Sequence, residues 1–124
     1  MTIPSRFMRA ILLHLSSNLH PEWQDFVDHP SPDPFDDGGW FHVTVGATGL
    51  EGGNDFQVCV ATPRAIRRFR RAGASPGIVI ERFDASSVRQ AIHARIESIE
   101  GATWDDIVQE LRTFMCWEYE GMAT

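Results

Sequence analysis

The chain has 124 residues, of which 43% are hydrophobic and 23% are charged, and its formal net charge is −6. These values are typical of one soluble globular domain spanning 1–124, and they exclude a disordered, fibrous or membrane-embedded chain. No stretch approaches the roughly 18 consecutive apolar residues of a membrane span, and the apolar run at 11–13 is too short for a secretion signal, so we expect a cytoplasmic protein that makes no contact with a membrane.

Charge is distributed unevenly along the sequence. All eleven basic residues are arginines, and no basic residue occurs between 19 and 51. The acidic residues of that stretch are Glu22, Asp25, Asp28, Asp33, Asp36, Asp37 and Glu51. The compensating basic block consists of Arg64, Arg67, Arg68, Arg70 and Arg71. We therefore expect a dipolar surface with one strongly negative half.

The first third of the chain predicts one strand and one long loop. Apolar, β-compatible residues over 7–16 predict a strand whose inward set alternates from Phe7 or Met8 to Leu15. Prolines at 21, 30, 32 and 34 prevent regular hydrogen bonding over 18–39. This predicts a long loop rich in proline and aspartate, with a helical turn at 22–28; loops of this length are often functional or mobile.

The middle of the chain predicts a β-hairpin, 40–47 with 55–61, around a glycine-rich turn. Alternation in its second strand places Phe56, Val58 and Val60 on one side. Thr62 and Pro63 fit an N-cap and first helical residue, and predict a short helix near 63–72 that ends at Gly73. A β-branched run then predicts a central strand over 77–83.

Two helices are predicted to follow that strand. Asp84 caps the first, whose apolar residues recur at helical spacing, and Gly101 ends it. Thr103 begins the second, with Asp106 completing a capping box. Their buried stripes are predicted at Val88, Ala91, Ile92, Ile96 and Ile99, and at Trp104, Ile107, Val108, Leu111, Phe114 and Met115. The expected fold is α+β, a small antiparallel sheet of about four strands packed by two consecutive C-terminal helices, plus the short helix near 63–72.

No catalytic or nucleotide-binding motif is present, and we expect no catalytic residue, no metal and no cofactor. The five histidines, at 14, 20, 29, 42 and 93, do not recur at ligand-pair spacing. Two groups of loop residues are the nearest candidates for a metal site, although a solvated loop is the favoured interpretation of both. They are Asp25, Asp28 and His29, and Asp33, Asp36 and Asp37. Cys59 and Cys116 are expected to be reduced, buried thiols, with a disulfide between them as the alternative. The arginine block fits a solvated helix face better than a phosphate contact, and the net acidity disfavours nucleic acid.

Four segments in order carry a family resemblance: the hairpin over 40–63, the strand over 78–84, the segment 100–107 with Gly-Ala-Thr-Trp, and the ending Trp-Glu-Tyr-Glu at 117–120. Over about 38–120 the chain resembles the immunity protein 8 family of bacterial polymorphic toxin systems. The resemblance implies a small cytoplasmic α+β protein, encoded beside a secreted toxin, that binds the toxin domain and protects the producing cell. The partner is then a cognate toxin encoded by an adjacent gene, a polymorphic toxin or a contact-dependent or type VI effector, neutralised by stoichiometric occlusion.

Two surfaces are candidates for toxin binding. If the toxin has a basic groove, an acidic surface speeds encounter by electrostatic steering. The first candidate is therefore the acidic loop with the hairpin turn, Asp33, Asp36, Asp37 and Glu51, and the second is the ending Trp117, Glu118 and Tyr119. The alternatives are a small metal-dependent hydrolase using loop carboxylates with His29 or His42, and a self-assembling module; a homodimer is left open.

Overall fold

The structure is a computed structural model, and it describes residues 7–117. The described chain contains the following elements in order: β1 Met8–Ser17, α1 Trp23–Asp28, β2 Gly38–Ala47, β3 Asn54–Ala61, α2 Ile66–Arg71, β4 Ile78–Val79, α3 Ala85–Glu97, β5 Glu100–Gly101, α4 Trp104–Leu111 and β6 Cys116–Trp117. The α+β class is confirmed. No helix in this part of the chain is long and apolar enough to cross a membrane.

The sheet is mixed and has more strands than predicted. Its order is β4-β3-β2-β1-β5, and β6 also pairs with β3. All pairs are antiparallel except β3 with β4, which is parallel. The prediction of about four antiparallel strands was wrong because β5 and β6 have two residues each, too few to show a period of two.

The run predicted as a central strand over 77–83 is a short edge strand. Only Ile78 and Val79 pair, with the end of β3, and Val79 is 52% exposed. The edge of β3 is divided between this strand, which pairs with Val60 and Ala61, and β6, which pairs with residues 56 and 57. The continuous apolar run therefore predicted correctly that part of the segment is buried, but it did not predict that the strand lies at the edge of the sheet.

The core lies on one side of the β2–β3 hairpin, as the alternation predicted. Phe41, Val43, Val45, Phe56, Val58 and Val60 are all at most 1% exposed. Val88, Ile92 and Ile96 of α3 and Ile107, Val108 and Leu111 of α4 belong to the same cluster. Both C-terminal helices therefore pack on this inner face, where burial of each large apolar side chain contributes roughly 1.5–3 kcal/mol.

Strand β1 departs from simple alternation. Its pairing with β2 shifts between Leu12 and His14, which is the signature of a β-bulge. As a result Ala10 and Leu15 are both buried although they cannot belong to one alternating set. Leu13 is 52% exposed.

The loop over 18–39 forms part of the core. The expected helical turn is present as α1, and its Phe26 is 4% exposed, with its ring 5.6 Å from that of Phe41 and 5.5 Å from that of Phe83. Farther along, the carbonyl of Pro34 accepts a 2.7 Å hydrogen bond from the N–H of Phe83. Its apolar residues thus tie this segment to the scaffold at two points.

Of the three helix starts for which an N-cap was predicted, two follow the predicted local signal. The Asp84 side chain accepts from the N–H of Ser87 at 2.8 Å and begins α3, and Thr103 begins α4 with the predicted capping box. Helix α2 begins at Ile66 rather than 63, after a turn, because the Thr62 hydroxyl is used by another segment. Gly73, with φ +86°, follows this helix as predicted, whereas Gly101 lies in β5 beyond the end of α3.

Candidate functional site

Asp37 holds the end of the long loop against the end of β3. One carboxylate oxygen accepts from the N–H of Gly38 at 2.7 Å, and the other accepts from the hydroxyl of Ser31. The N–H of Asp37 donates to Thr62 Oγ1 at 3.1 Å, and the N–H of Thr62 donates back to the Asp37 carbonyl at 2.9 Å. Because the protein's own donors occupy this carboxylate, Asp37 positions the segment.

Asp36 joins the acidic loop to the arginine block. Arg68 Nη1 lies 2.9 Å from Asp36 Oδ1, and Arg68 Nη2 donates to the Asp36 carbonyl at 3.2 Å. The Asp36 side chain is 36% exposed, and an ion pair this open to solvent contributes at most about 1 kcal/mol. The acidic and basic segments therefore meet at this point, through one ion pair.

Asp33 and Phe35 are two exposed residues of the same loop. The N–H of Asp33 donates to Ser31 Oγ at 3.3 Å, and Asp33 Oδ1 accepts from the N–H of Phe35 at 3.2 Å. The Phe35 side chain is 47% exposed, and the guanidinium of Arg82 lies 5.6 Å from its ring centre. These hydrogen bonds restrain the loop at Asp33 and Phe35.

Glu51 lies apart from the other acidic candidates. It occupies the turn between β2 and β3, whereas Asp36 and Asp37 immediately precede β2. Strand β2 has ten residues, which at about 3.3 Å per residue separates the two ends by roughly 30 Å. The four acidic candidates therefore do not form one continuous patch.

Trp117 closes the edge of the core. It pairs with Phe56 in the sheet and packs, partly buried, against the hydrophobic cluster. The guanidinium of Arg112 lies 5.9 Å from its ring centre. Glu118 and Tyr119, the other two residues of the second candidate surface, lie outside the described residues.

The candidate metal ligands do not gather within residues 7–117, where no group of three or more His, Cys, Asp or Glu side chains could hold an ion. His29 Nδ1 lies 2.7 Å from the carbonyl of Asp25, and the His29 ring stacks on that of His20 at 5.9 Å. Asp25 accepts from the N–H of Glu22 at 3.2 Å, at the start of α1. These groups thus stabilise the local fold.

A polar row on the outer face of the sheet was missed by the sequence analysis. His42 and Thr44 of β2 alternate with the inward residues, and they pair with Gln57 and Asp55 of β3. Asn18 Nδ2 donates to Gln57 Oε1 at 2.8 Å, and Thr44 Oγ1 donates to Asp55 Oδ1 at 2.7 Å. The alternation that identified the inward residues also marks these outward positions, so the signal was present.

His42 links the two halves of this row. Its Nδ1 lies 3.4 Å from Gln57 Nε2 and its Nε2 lies 3.1 Å from Asp55 Oδ1. The side chains of this face are therefore held in place before any partner arrives, which reduces the entropy cost of binding.

The two thiols differ, contrary to the expectation that both are buried. Both are free, but Cys59 is buried and Cys116 is exposed. Burial, together with the nearby Cys116, raises the pKa of the Cys59 thiol to about 11. Since the thiolate is the reactive form, Cys59 is inert at neutral pH.

Comparison with known proteins gives one match. The model of a family described as immunity protein 8 matches residues 13–122, which is most of the chain. No curated protein and no solved structure matches significantly. The match begins before the resemblance read over 38–120, because it includes the second half of β1 and the long loop.

Proposed function

The chain belongs to the immunity protein 8 family, and from this premise we propose that it binds a cognate toxin domain encoded by an adjacent gene and neutralises it. The carrying observation is the family match over 13–122. Neutralisation is stoichiometric: the protein occludes the toxin and turns over no substrate. The toxin would be a secreted bacterial effector, and the complex would form in the cytoplasm.

The inhibition experiment is a titration of toxin activity with this protein. Stoichiometric occlusion predicts a linear fall in activity that reaches its minimum near equal concentrations, provided that both far exceed Kd. Co-expression would also restore growth to cells that express the toxin. Loss of toxin activity at strongly substoichiometric amounts would refute occlusion, and a harmless neighbouring gene product would refute the immunity role.

The toxin contact we favour includes Asp33 and Asp36. Both are fixed in one loop conformation by the hydrogen bonds and the ion pair described above. Asp37 supports this contact from behind, since its carboxylate accepts from Gly38 and Ser31. Carboxylates displayed on an ordered loop suit a basic surface on the toxin, and their main effect would be on the association rate.

The test replaces these two carboxylates and compares them with two others. Asp33→Asn with Asp36→Asn is expected to slow association roughly tenfold at low salt, with a smaller effect at high salt. Glu51→Gln with Asp105→Asn removes the same charge from the distant hairpin turn and from α4, and is expected to change association less than about threefold. Equal effects of the two double variants would show that only net charge matters.

The second candidate surface stays a proposal for Glu118 and Tyr119. Trp117 precedes them, and because its ring packs against the core, its replacement would disturb stability as well as binding. Glu118→Gln and Tyr119→Phe are therefore the informative variants, since they remove only a charge and a hydroxyl group. A change in toxin dissociation rate without a change in melting temperature would support a contact there.

A further inference from the structure

The described arginines are used in two different ways. Six of them contact a carboxylate or an aromatic ring: Arg9 with Glu100, Arg68 with Asp36, Arg82 with Asp84 and Phe35, Arg89 with Trp23, Arg95 with Phe114, and Arg112 with Trp117. The remaining four arginines within 7–117 are exposed and make no ion pair or ring contact. They are Arg64, Arg67, Arg70 and Arg71, which we call the arginine surface.

The arginine surface is a concentrated positive patch. Arg67, Arg70 and Arg71 lie on α2, and Arg64 lies in the turn two residues before it. Residues three and four apart are neighbours on a helix, so these like charges repel one another. The helix dipole favours positive charge in the last turn, but it does not neutralise the guanidinium groups. An acidic partner would remove this repulsion.

We propose that the arginine surface docks an acidic patch on the toxin domain, an inference that rests on the proposed function. Guanidinium groups bind carboxylates through paired, charge-assisted hydrogen bonds. Outside the basic block the chain has seventeen acidic residues against six arginines, so an extended polyanion such as nucleic acid is repelled at long range. A compact acidic patch on a folded protein carries fewer negative charges than an extended polyanion, so it is repelled less at long range.

The position of α2 gives this contact a direction. The ion pair between Arg68 and Asp36 holds the acidic loop beside the helix. The same end of the sheet therefore presents arginines next to Asp33 and Asp36, so that positive and negative side chains lie side by side on one surface. A toxin matching it needs acidic and basic groups in the corresponding order, which fixes the register of docking and excludes partners with the opposite arrangement.

The experiment measures association of the purified, catalytically disabled toxin domain from the adjacent gene. Arg67→Gln, Arg70→Gln and Arg71→Gln together are expected to weaken binding about tenfold, mostly through the association rate, and the deficit should shrink near 0.5 M salt. The matched control, Arg9→Gln, Arg89→Gln and Arg95→Gln, removes the same charge elsewhere and is expected to change binding less than about threefold. The triple lysine variant at 67, 70 and 71 keeps the charge and should retain most of the affinity.

The outcomes separate this inference from the proposed function. Wild-type binding with an unaffected glutamine variant, or with an equally affected control, overturns docking at the arginine surface and leaves the immunity role standing. Wild-type protein that binds no toxin overturns both. Tighter binding to a short DNA duplex than to the toxin at the same salt, lost in the glutamine variant, overturns the acidic protein partner in favour of nucleic acid. Melting curves within a few degrees of wild type exclude unfolding as the cause.

Discussion

Replacing Phe26 with alanine tests whether the long loop is part of the core. The side chain is 4% exposed, and its ring centre lies 5.2 Å from that of Trp23, 5.6 Å from Phe41 and 5.5 Å from Phe83. Truncation of a buried phenylalanine to alanine costs roughly 3–5 kcal/mol. Since favourable aromatic pairs add about 0.5–1.5 kcal/mol beyond area burial, we expect a loss of about 4 kcal/mol, a large share of a typical stability of roughly 5–15 kcal/mol.

The assay is reversible urea unfolding followed by tryptophan fluorescence and circular dichroism. Val27, the next residue of α1, is 46% exposed, so Val27→Ala serves as the control and should cost less than about 0.5 kcal/mol. For a chain of this size each kcal/mol lowers the melting temperature by about 3–6 °C, which makes the expected difference readily measurable. If Phe26→Ala falls within about 1 kcal/mol of the control, the loop does not share the core's stability and our account of it is refuted.

Three further predictions concern packing, thiol reactivity and acid stability. A Cβ at Gly77 would overlap a backbone carbonyl of the segment before β6, whereas one at Gly39 has no neighbour closer than 3.4 Å. Gly77→Ala should therefore lower the free energy of unfolding in urea by roughly 3 kcal/mol, and Gly39→Ala by less than about 1 kcal/mol. Equal losses would contradict the close approach at Gly77. Cys116 is exposed and should react with an aromatic disulfide reagent in the folded protein. Cys59 should react only on unfolding, because burial raises the pKa of its thiol to about 11. Rapid reaction of both thiols in the folded protein would contradict this prediction. The pKa of Asp84 is held below its ordinary value, chiefly by the backbone N–H of Ser87 at the start of α3. The contribution of Asp84 to the free energy of unfolding is therefore present above about pH 4 and is lost as the pH falls through the depressed pKa. The stability deficit of Asp84→Ala, about 1 kcal/mol at neutral pH, should shrink in acid unfolding curves, and a constant deficit would argue against this linkage.

Local signals were sufficient for the elements whose hydrogen bonds close within a few residues. Asp84 and Thr103 cap their helices by accepting a hydrogen bond from the backbone N–H three residues further along the chain. A window of four residues therefore contains the whole interaction. The hairpin was equally predictable, because strict alternation on both sides of a glycine-rich turn specifies register and face together. These elements also form most of the core: eight residues of the helices' predicted stripes are buried, whereas Ala91, Trp104 and Phe114 are only partly buried.

Elements defined by distant partners were not predictable in the same way. Thr62 has the right neighbours for an N-cap, yet its hydroxyl accepts from the N–H of Asp37 instead, and no local pattern reveals that competition. The β1 bulge depends on which residue of β2 stands opposite, and the two-residue strands exist only because β1 and β3 offer them edges. Likewise, the prolines of the loop indicated irregular backbone correctly but gave no sign that Phe26 would reach the core.

The meeting of acidic and basic segments follows from the hairpin itself. An antiparallel hairpin returns the chain to its starting point, so Gly38 at the start of β2 lies opposite Ala61 at the end of β3. The segment before 38 and the segment after 61 must therefore be neighbours, whatever their charges. The contact between the acidic and basic runs could therefore have been predicted together with the hairpin, because the two runs flank it. Recognition of the toxin at this end of the sheet consequently depends on the arrangement of its positive and negative side chains. Removing the side chains of one charge here should impair binding more than an equal change in net charge elsewhere.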